Sequence, residues 1–229
     1  MELGQPVRMA SSNKLSRMIT VCHLSRSRSE RVVWLLEELG MEYRLEWFQR
    51  EPTGAAPAEM RDIHALGKAP IIRDGDLTLA ESGAIVDYIV QRHAGGSLGV
   101  PPSDPRFAGY TYWMHFAEGS LMSLMLIALV LSRIPEASES PVRARILDRM
   151  GKMLAFVDES IAEHPYFAGD AFTAADIMMS FPLTTMRHYL KYDIAPYSNV
   201  CKWIERIEAR PAYQKAMAIA GPDATAKSR

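Results

Sequence analysis

From Ile19 onward the spacing of apolar residues changes period several times. Ile19-Thr-Val-Cys-His-Leu24 is a short, largely apolar run bounded by polar residues, which predicts a strand buried on both faces. Val32, Val33, Leu36 and Leu39 then recur at helical spacing, and Gly40 stands where a glycine ends a helix. Tyr43 to Phe48, rich in aromatics, reads as a second strand, and a Pro/Gly/Ala loop from Pro52 to Pro57 leads to a short helix ending near His64. Pro70 opens Ile71-Ile72-Arg73, Asp74-Gly75 predicts a turn, and Leu77-Thr78-Leu79 alternates back, the pattern of a hairpin. Ser82 to His93 completes this half as a helix, with Ile85, Val86, Ile89 and Val90 as its apolar stripe.

The order strand–helix–strand–helix–strand–strand–helix implies a parallel leading pair through a right-handed crossover and an antiparallel trailing edge. That is the βαβαββα layout of a thioredoxin-like domain, expected over residues 18–94. Residues 95–104 fall in a stretch dense in Gly and Pro and are expected to be a linker. Beyond it only helices are expected, over residues 107–131, 141–163, 173–190 and 198–218. Ser103-Asp104-Pro105 marks the first start, because proline suits a first helical turn. The fold class is therefore α/β plus all-α, with a helical bundle over residues 105–220 and a tail over 221–229. Residues 1–17 contain no apolar segment of the kind a secretion signal needs and are expected to be a disordered extension, with Met1 and Met18 both open as the start.

Composition narrows the function classes. The 229 residues are 48% hydrophobic and 23% charged, enough to bury a real core. Twenty-six Lys and Arg against 27 Asp and Glu give a net charge of −1, so no nucleic-acid partner is expected. The most apolar run, Leu121 to Leu131, is shorter than the ~20 residues a spanning helix needs, so no membrane partner is expected either. Cys22 and Cys201 are too few and too distant for a disulfide framework, which fits a reducing, cytoplasmic setting. No histidine shows ligand spacing, so no metal is expected.

Three short stretches carry chemistry. Ser27-Arg28-Ser29-Glu30 fits a capping box, with Ser27 as the cap of the first helix and Glu30 reaching back to it. The same hydroxyl placed against a bound thiolate donates its own proton to it while the helix dipole adds positive potential. The dipole offers roughly 0.3–1 kcal/mol and a hydrogen bond to a charged group roughly 1.5–3. At ~1.36 kcal/mol per pKa unit, the two lower a thiol pKa from ~8.5 by about one to two units. Ser25 is a rival for this role, and spacing does not choose between them. Glu81-Ser82 opens the third helix, where Ser82 suits a carboxylate and Glu81 an ammonium. Lys68-Ala69-Pro70 precedes a strand; X–Pro bonds are trans by default, but a cis bond here leaves the Ala69 backbone open to an extended peptide. A ligand with a thiol, an amino-acid end and an extended peptide backbone, the features of glutathione, satisfies all three.

The sequence also resembles a known family. HLSRSRSERVVWLLEELG, HALGKAP followed by a hairpin, and LAESGAIVDYI are similar to the N-terminal half of cytosolic glutathione transferases, especially serine-type bacterial and fungal members. FTAADIMMSF and WIERIEARPAYQKA are similar to their C-terminal half, so the resemblance runs from about Met18 to about Met217. It implies a homodimeric enzyme that uses glutathione as co-substrate and attacks a small hydrophobic electrophile, the alternatives being another glutathione-dependent reaction on the same fold (reductive dehalogenation, isomerisation or disulfide reduction) or a non-catalytic glutathione-binding protein. It further implies that Pro70 is cis, that Lys68, Ala69, Pro70, Glu81 and Ser82 hold glutathione, and that Ser27 activates the thiol. Tyr110, Trp113 and Met114 are the implied wall of the electrophile pocket. Two positions depart from the family pattern: Ala69 replaces the usual Val, and His64 replaces an Asn, with a loop-capping role expected for the histidine. Thr173-Ala174-Ala175-Asp176 is a capping box with Asp in place of Glu, expected to be structural, its loss by Asp176→Ala costing about 0.5–2 kcal/mol. Cys22-His23-Leu24-Ser25 has the spacing of a redox motif, but Cys22 falls inside the predicted strand rather than at a helix start, where a low-pKa thiol belongs.

Overall fold

A computed structural model describes residues 18–226. The expected extension over residues 1–17 and the end of the tail lie outside them. The chain divides into two compact units, one of residues 18–89 with 211–226 and the other Val90–Arg210. The final helix thus belongs with the N-terminal unit, where the sequence placed it in the helical bundle.

In the N-terminal unit, β1 (Ile19–Leu24), α1 (Ser29–Glu38), β2 (Tyr43–Phe48), α2 (Glu59–Ile63), β3 (Ile71–Asp74), β4 (Leu77–Ala80) and α3 (Ser82–Tyr88) follow the predicted order. The sheet runs β2-β1-β3-β4, with β1 parallel to β2 and β3 antiparallel to both β1 and β4. Because β1 is internal, five of its six residues are buried, as the apolar run requires. Its faces divide by alternation. Cys22 and Leu24 join Met60 and Ile71 in one apolar cluster, while His23 points the other way and bonds to the first residue of α1. The hairpin differs by one residue from expectation. Asp74 pairs with Leu77, so Gly75-Asp76 is the two-residue loop, and Gly75 at φ +59 supplies the left-handed backbone it needs.

Helix α1 ends as its sequence dictates. Gly40 takes φ +61, its N–H donates to Glu37 C=O, and Met41 N–H donates to Leu36 C=O, the double closure that only a left-handed residue permits cheaply. Helix α10 (Pro211–Ala220) packs along α1. Trp34 and Tyr213 meet edge to face at 4.9 Å, and Lys215 pairs with Glu37 at 2.7 Å. Arg26 donates to Pro222 C=O just beyond.

The second unit holds α4 (Phe107–Phe116), α5 (Ser123–Ser132), α6 (Pro141–Ser160), α7 (Ala174–Leu183), α8 (Thr185–Leu190) and α9 (Ser198–Glu208). A π-helical segment, Ala117–Met122, joins α4 to α5. The continuous run Phe107–Ser132 is long and apolar enough to cross a bilayer by length and composition, although the Leu121–Leu131 stretch alone is not. Here its Leu121, Met122, Leu124, Met125 and Ala128 are buried, and α4 and α5 pack against α7, α6 and α8. Helix α4 starts at Phe107, as expected, but Pro105 lies in the turn before it rather than in its first turn, because Asp104 folds back on Arg106. Its carboxylate accepts the Arg106 backbone N–H at 2.8 Å and two guanidinium bonds, which hold its pKa down at about 2. The predicted helix over 173–190 is broken at Thr184, two residues after Pro182, whose missing N–H interrupts the ladder. The one over 198–218 is broken before Pro211, which starts α10.

The capping box of α7 forms. Thr173 Oγ1 accepts the Ala175 N–H at 3.3 Å, and Asp176 accepts the Thr173 N–H at 2.9 Å. Asp176 does more than cap: it also accepts the Phe167 N–H at 3.1 Å and Trp203 Nε1–H at 2.9 Å. Burial pushes its carboxyl up to about 6, against these donors, which pull the other way.

Candidate functional site

Strand register brings the chemically interesting stretches to one end of the sheet. Cys22 pairs with Ile71, and Ile71 with Ala80, so the exit of β1, the entry of β3 and the exit of β4 lie side by side. The loop Ser25–Arg28 leaves β1 there, Lys68-Ala69-Pro70 enters β3, and Glu81-Ser82 leaves β4 for α3. Residues separated by more than fifty positions in sequence thus share one rim of the N-terminal unit.

The β1–α1 loop is turned by Arg26, whose φ of +53 is unusual for a residue with a side chain. This turn overrules the expected capping box. Helix α1 begins at Ser29 after Arg28, and no side chain caps it. Instead the Glu30 N–H donates to Ser27 C=O and the Arg31 N–H to Arg28 C=O, so backbone carbonyls satisfy the donors that the box leaves to side chains. The Ser27 hydroxyl accepts the Ser29 N–H at 3.3 Å and lies 2.7 Å from the Ser29 hydroxyl. Ser29 Oγ in turn lies 2.8 Å from His23 Nδ1. All three side chains are buried, Ser27 at 5% exposure.

Ser25, the rival, is occupied differently. Its hydroxyl accepts the Arg50 N–H at 3.3 Å, and its own N–H extends the β2 pairing by donating to Phe48 C=O. Arg50 is a residue that sequence reasoning missed. Its guanidinium donates to the carbonyls of Ser25, Arg26 and Gly54 at 2.9, 3.2 and 2.8 Å, clamping the loop from the β2 side. Only its place just beyond the second strand marked it, and many surface arginines share that.

At the entry of β3 the Ala69–Pro70 peptide is cis, as the resemblance implies. Lys68 is exposed, Ala69 half-buried and Pro70 buried. His64 has the loop-capping role expected of it: its Nδ1 accepts the Leu66 N–H at 3.3 Å and its C=O the Gly67 N–H at 2.8 Å. At the exit of β4, Glu81 takes φ +74 and ψ 120, a conformation that costs of order 1–3 kcal/mol outside glycine and concentrates at functional sites. No side chain caps α3, so neither Glu81 nor the buried Ser82 is spent on a cap.

The remaining candidates sit elsewhere. Tyr110, Trp113 and Met114 are on α4 and buried. Trp113 meets the rings of Tyr112, Phe116, Phe156 and Phe167 at centroid distances of 4.9 to 6.0 Å. That packing builds it into an aromatic cluster of the helical unit. Cys22 is buried in its cluster with its thiol pushed up to about 11 by desolvation, which removes it as a nucleophile. Among the described residues no group of three or more His, Cys, Asp or Glu side chains converges as a metal site.

Comparison with known proteins joins both halves of the chain. The family described as glutathione S-transferase, N-terminal domain, matches residues 26–92, and the one described as glutathione S-transferase, C-terminal domain, matches residues 121–211. Glutathione S-transferase 3 of Schizosaccharomyces pombe is 34% identical over 210 residues, 85% of each chain. Glutathione S-transferase 1 of Saccharomyces cerevisiae is 30% identical over 88% of this chain and 97% of its own. Among solved structures, a glutathione S-transferase from Actinobacillus pleuropneumoniae superposes with a TM-score of 0.81 at 34% identity, covering 92% of this chain and 98% of that one. A theta-class glutathione S-transferase from Xanthomonas axonopodis, solved with glutathione bound, superposes with a TM-score of 0.71 at 26% identity over 90% and 99%.

Proposed function

The chain belongs to the glutathione S-transferase family, and from that premise we propose that it transfers glutathione to a small hydrophobic electrophile, with Ser27 keeping the bound thiol ionised. The thiol releases its proton to solvent, the sulfur lone pair forms the new C–S bond, and the leaving group departs with the electrons of the bond it breaks. What the protein supplies is proximity and a lowered thiol pKa.

The observation that carries this reading is the Ser27 hydroxyl, held at the uncapped start of α1 on the same rim as the cis Ala69–Pro70 peptide and the Glu81-Ser82 turn. The tripeptide's cysteinyl backbone pairs with Ala69 beside Pro70. Its α-carboxylate meets the Ser82 hydroxyl and its ammonium meets Glu81, while Lys68 lies close by for a carboxylate. The electrophile's wall is proposed at Tyr110 and Met114 of α4.

Two serines stand at the mouth of α1, and substitution separates them. Ser27→Ala is expected to raise the ionisation midpoint of bound glutathione, followed by thiolate absorbance, most of the way to that of the free compound. Turnover of a generic electrophile near neutral pH should fall about 10- to 100-fold. An unchanged midpoint removes Ser27 from the role; loss with Ser25→Ala alone moves the role there.

The enzyme is further proposed to act in the cytoplasm as a homodimer. Leu126, Ile127 and Val130 are exposed on one face of α5, an apolar patch that a second copy would cover. Val130→Glu should give a monomer on sedimentation; a dimer that persists places the interface elsewhere.

A further inference from the structure

We infer that His23 and Ser29 are positioning residues that aim the Ser27 proton at the thiolate, through a buried chain of hydrogen bonds running from β1 to the mouth of α1. The inference rests on Ser27 being the activating residue and adds what makes that hydroxyl a donor.

The chain has three links. His23 Nδ1 lies 2.8 Å from Ser29 Oγ, Ser29 Oγ lies 2.7 Å from Ser27 Oγ, and the Ser29 N–H donates to Ser27 Oγ at 3.3 Å. Each hydroxyl has one proton to give, so the chain runs in one of two directions. If His23 Nδ1 is bare, it accepts from Ser29; Ser29 Oγ then accepts from Ser27, whose proton points inward and is lost to the ligand. If Nδ1 carries a proton, it donates to Ser29 and Ser29 donates to Ser27. Ser27 Oγ then accepts twice from residue 29, once from its N–H and once from its hydroxyl, and its own proton is turned out toward the sulfur. Only the second direction serves activation. Among the described residues the competing acceptor for the Ser29 proton, Leu24 C=O, is 3.5 Å away and so much the weaker.

The fold fixes the geometry of this chain. His23 is fully buried on the β1 face toward α1, its ring 4.3 Å from that of Trp47, its cross-strand partner on β2. Ser29 is the first residue of α1 and is also fully buried. Both ends are therefore held by regular structure rather than by the loop between them. Mutual polarisation along such a chain strengthens each bond and makes the terminal hydroxyl a better donor.

Two independent measurements test this. In the wild-type enzyme with histidine labelled at its ring nitrogens, long-range nitrogen–proton correlation spectra should show the proton of His23 on Nδ1, the signal being assigned by its loss in His23→Asn. A proton on Nε2 alone overturns the inference. In folded variants, Ser29→Ala and His23→Leu should each raise the thiol midpoint of bound glutathione by about one pH unit and lower kcat near neutral pH about tenfold, with KM for glutathione changed less than about twofold. His23→Asn, whose amide N–H2 replaces the Nδ1–H, should restore most of both. If Ser27→Ala shifts the midpoint while Ser29→Ala and His23→Leu leave it in place, the chain has no such role and Ser27 acts alone. If Ser27→Ala itself is without effect, the underlying assignment of Ser27 has failed instead.

Discussion

The starts of α1 and α7 carry the same kind of sequence and meet opposite fates. Ser27-Arg28-Ser29-Glu30 and Thr173-Ala174-Ala175-Asp176 both have the spacing of a capping box. At α7 the box closes, and its carboxylate becomes the meeting point of donors from residues 167, 173 and 203. At α1 the left-handed turn at Arg26 hands the capping to backbone carbonyls and leaves the hydroxyls of Ser27 and Ser29 bonded to each other. A closed box consumes its polar atoms inside the fold, whereas an open one keeps them for a ligand. Under the proposed function the difference divides a structural helix start from a functional one, and it is set by the backbone just upstream.

The sharpest way to break the comparison is at Asp176. Asp176→Ala strands the buried N–H groups of Phe167, Thr173 and Trp203, so urea unfolding should show a loss of about 3–5 kcal/mol, beyond the 0.5–2 of a simple cap. A loss under about 1 kcal/mol shows that Asp176 only caps. Its acidity gives the next effect. With the native carboxyl at about 6 and the unfolded one near ~3.9, the native state holds more protons in that window. Its contribution therefore falls as pH rises from about 4 to 6, by up to about 3 kcal/mol, and is flat above. Asp176→Asn should remove that slope relative to wild type; an identical slope assigns it to other groups. At α1 the expected losses are in rate. Arg50→Ala releases two carbonyls of the loop, with that of Gly54, and should lower kcat about tenfold with little change in melting temperature, and Arg50→Lys, lacking the fork, should not rescue it. Equal kcat in all three enzymes shows that the loop holds itself. The smallest effect belongs to Thr173→Ala, about 1 kcal/mol of stability with activity retained.

Much of this fold is legible in the sequence because it is written in local period. Ile19–Leu24, the Val32–Leu39 stripe with Gly40, and the α7 box each depend on neighbours a few residues away, and each forms as read. What escapes local reading depends on partners far along the chain. Arg50 acts on Ser25 and Arg26 across the β1–β2 pair, and His23 meets Ser29 only because alternation along β1 turns it toward α1. The helix breaks at Thr184 and before Pro211 were marked by prolines, but the apolar stripes running through them concealed the interruption. The candidate site residues at Ala69–Pro70 and Glu81-Ser82 were legible through resemblance; their gathering at one rim follows from strand register, which no single stretch contains.

The docking of α10 on α1 has a consequence for how the protein is made. The N-terminal unit is interrupted by the whole helical unit and completed by residues 211–226. As the ribosome delivers the chain, the strands and α1 emerge before the helical unit, yet Trp34 and Glu37 wait for Tyr213 and Lys215, which follow it. The nascent N-terminal unit therefore carries an apolar helix face that stays bare until the whole helical unit and α10 have been made, so strands and a helix made before that unit reach their native packing after it.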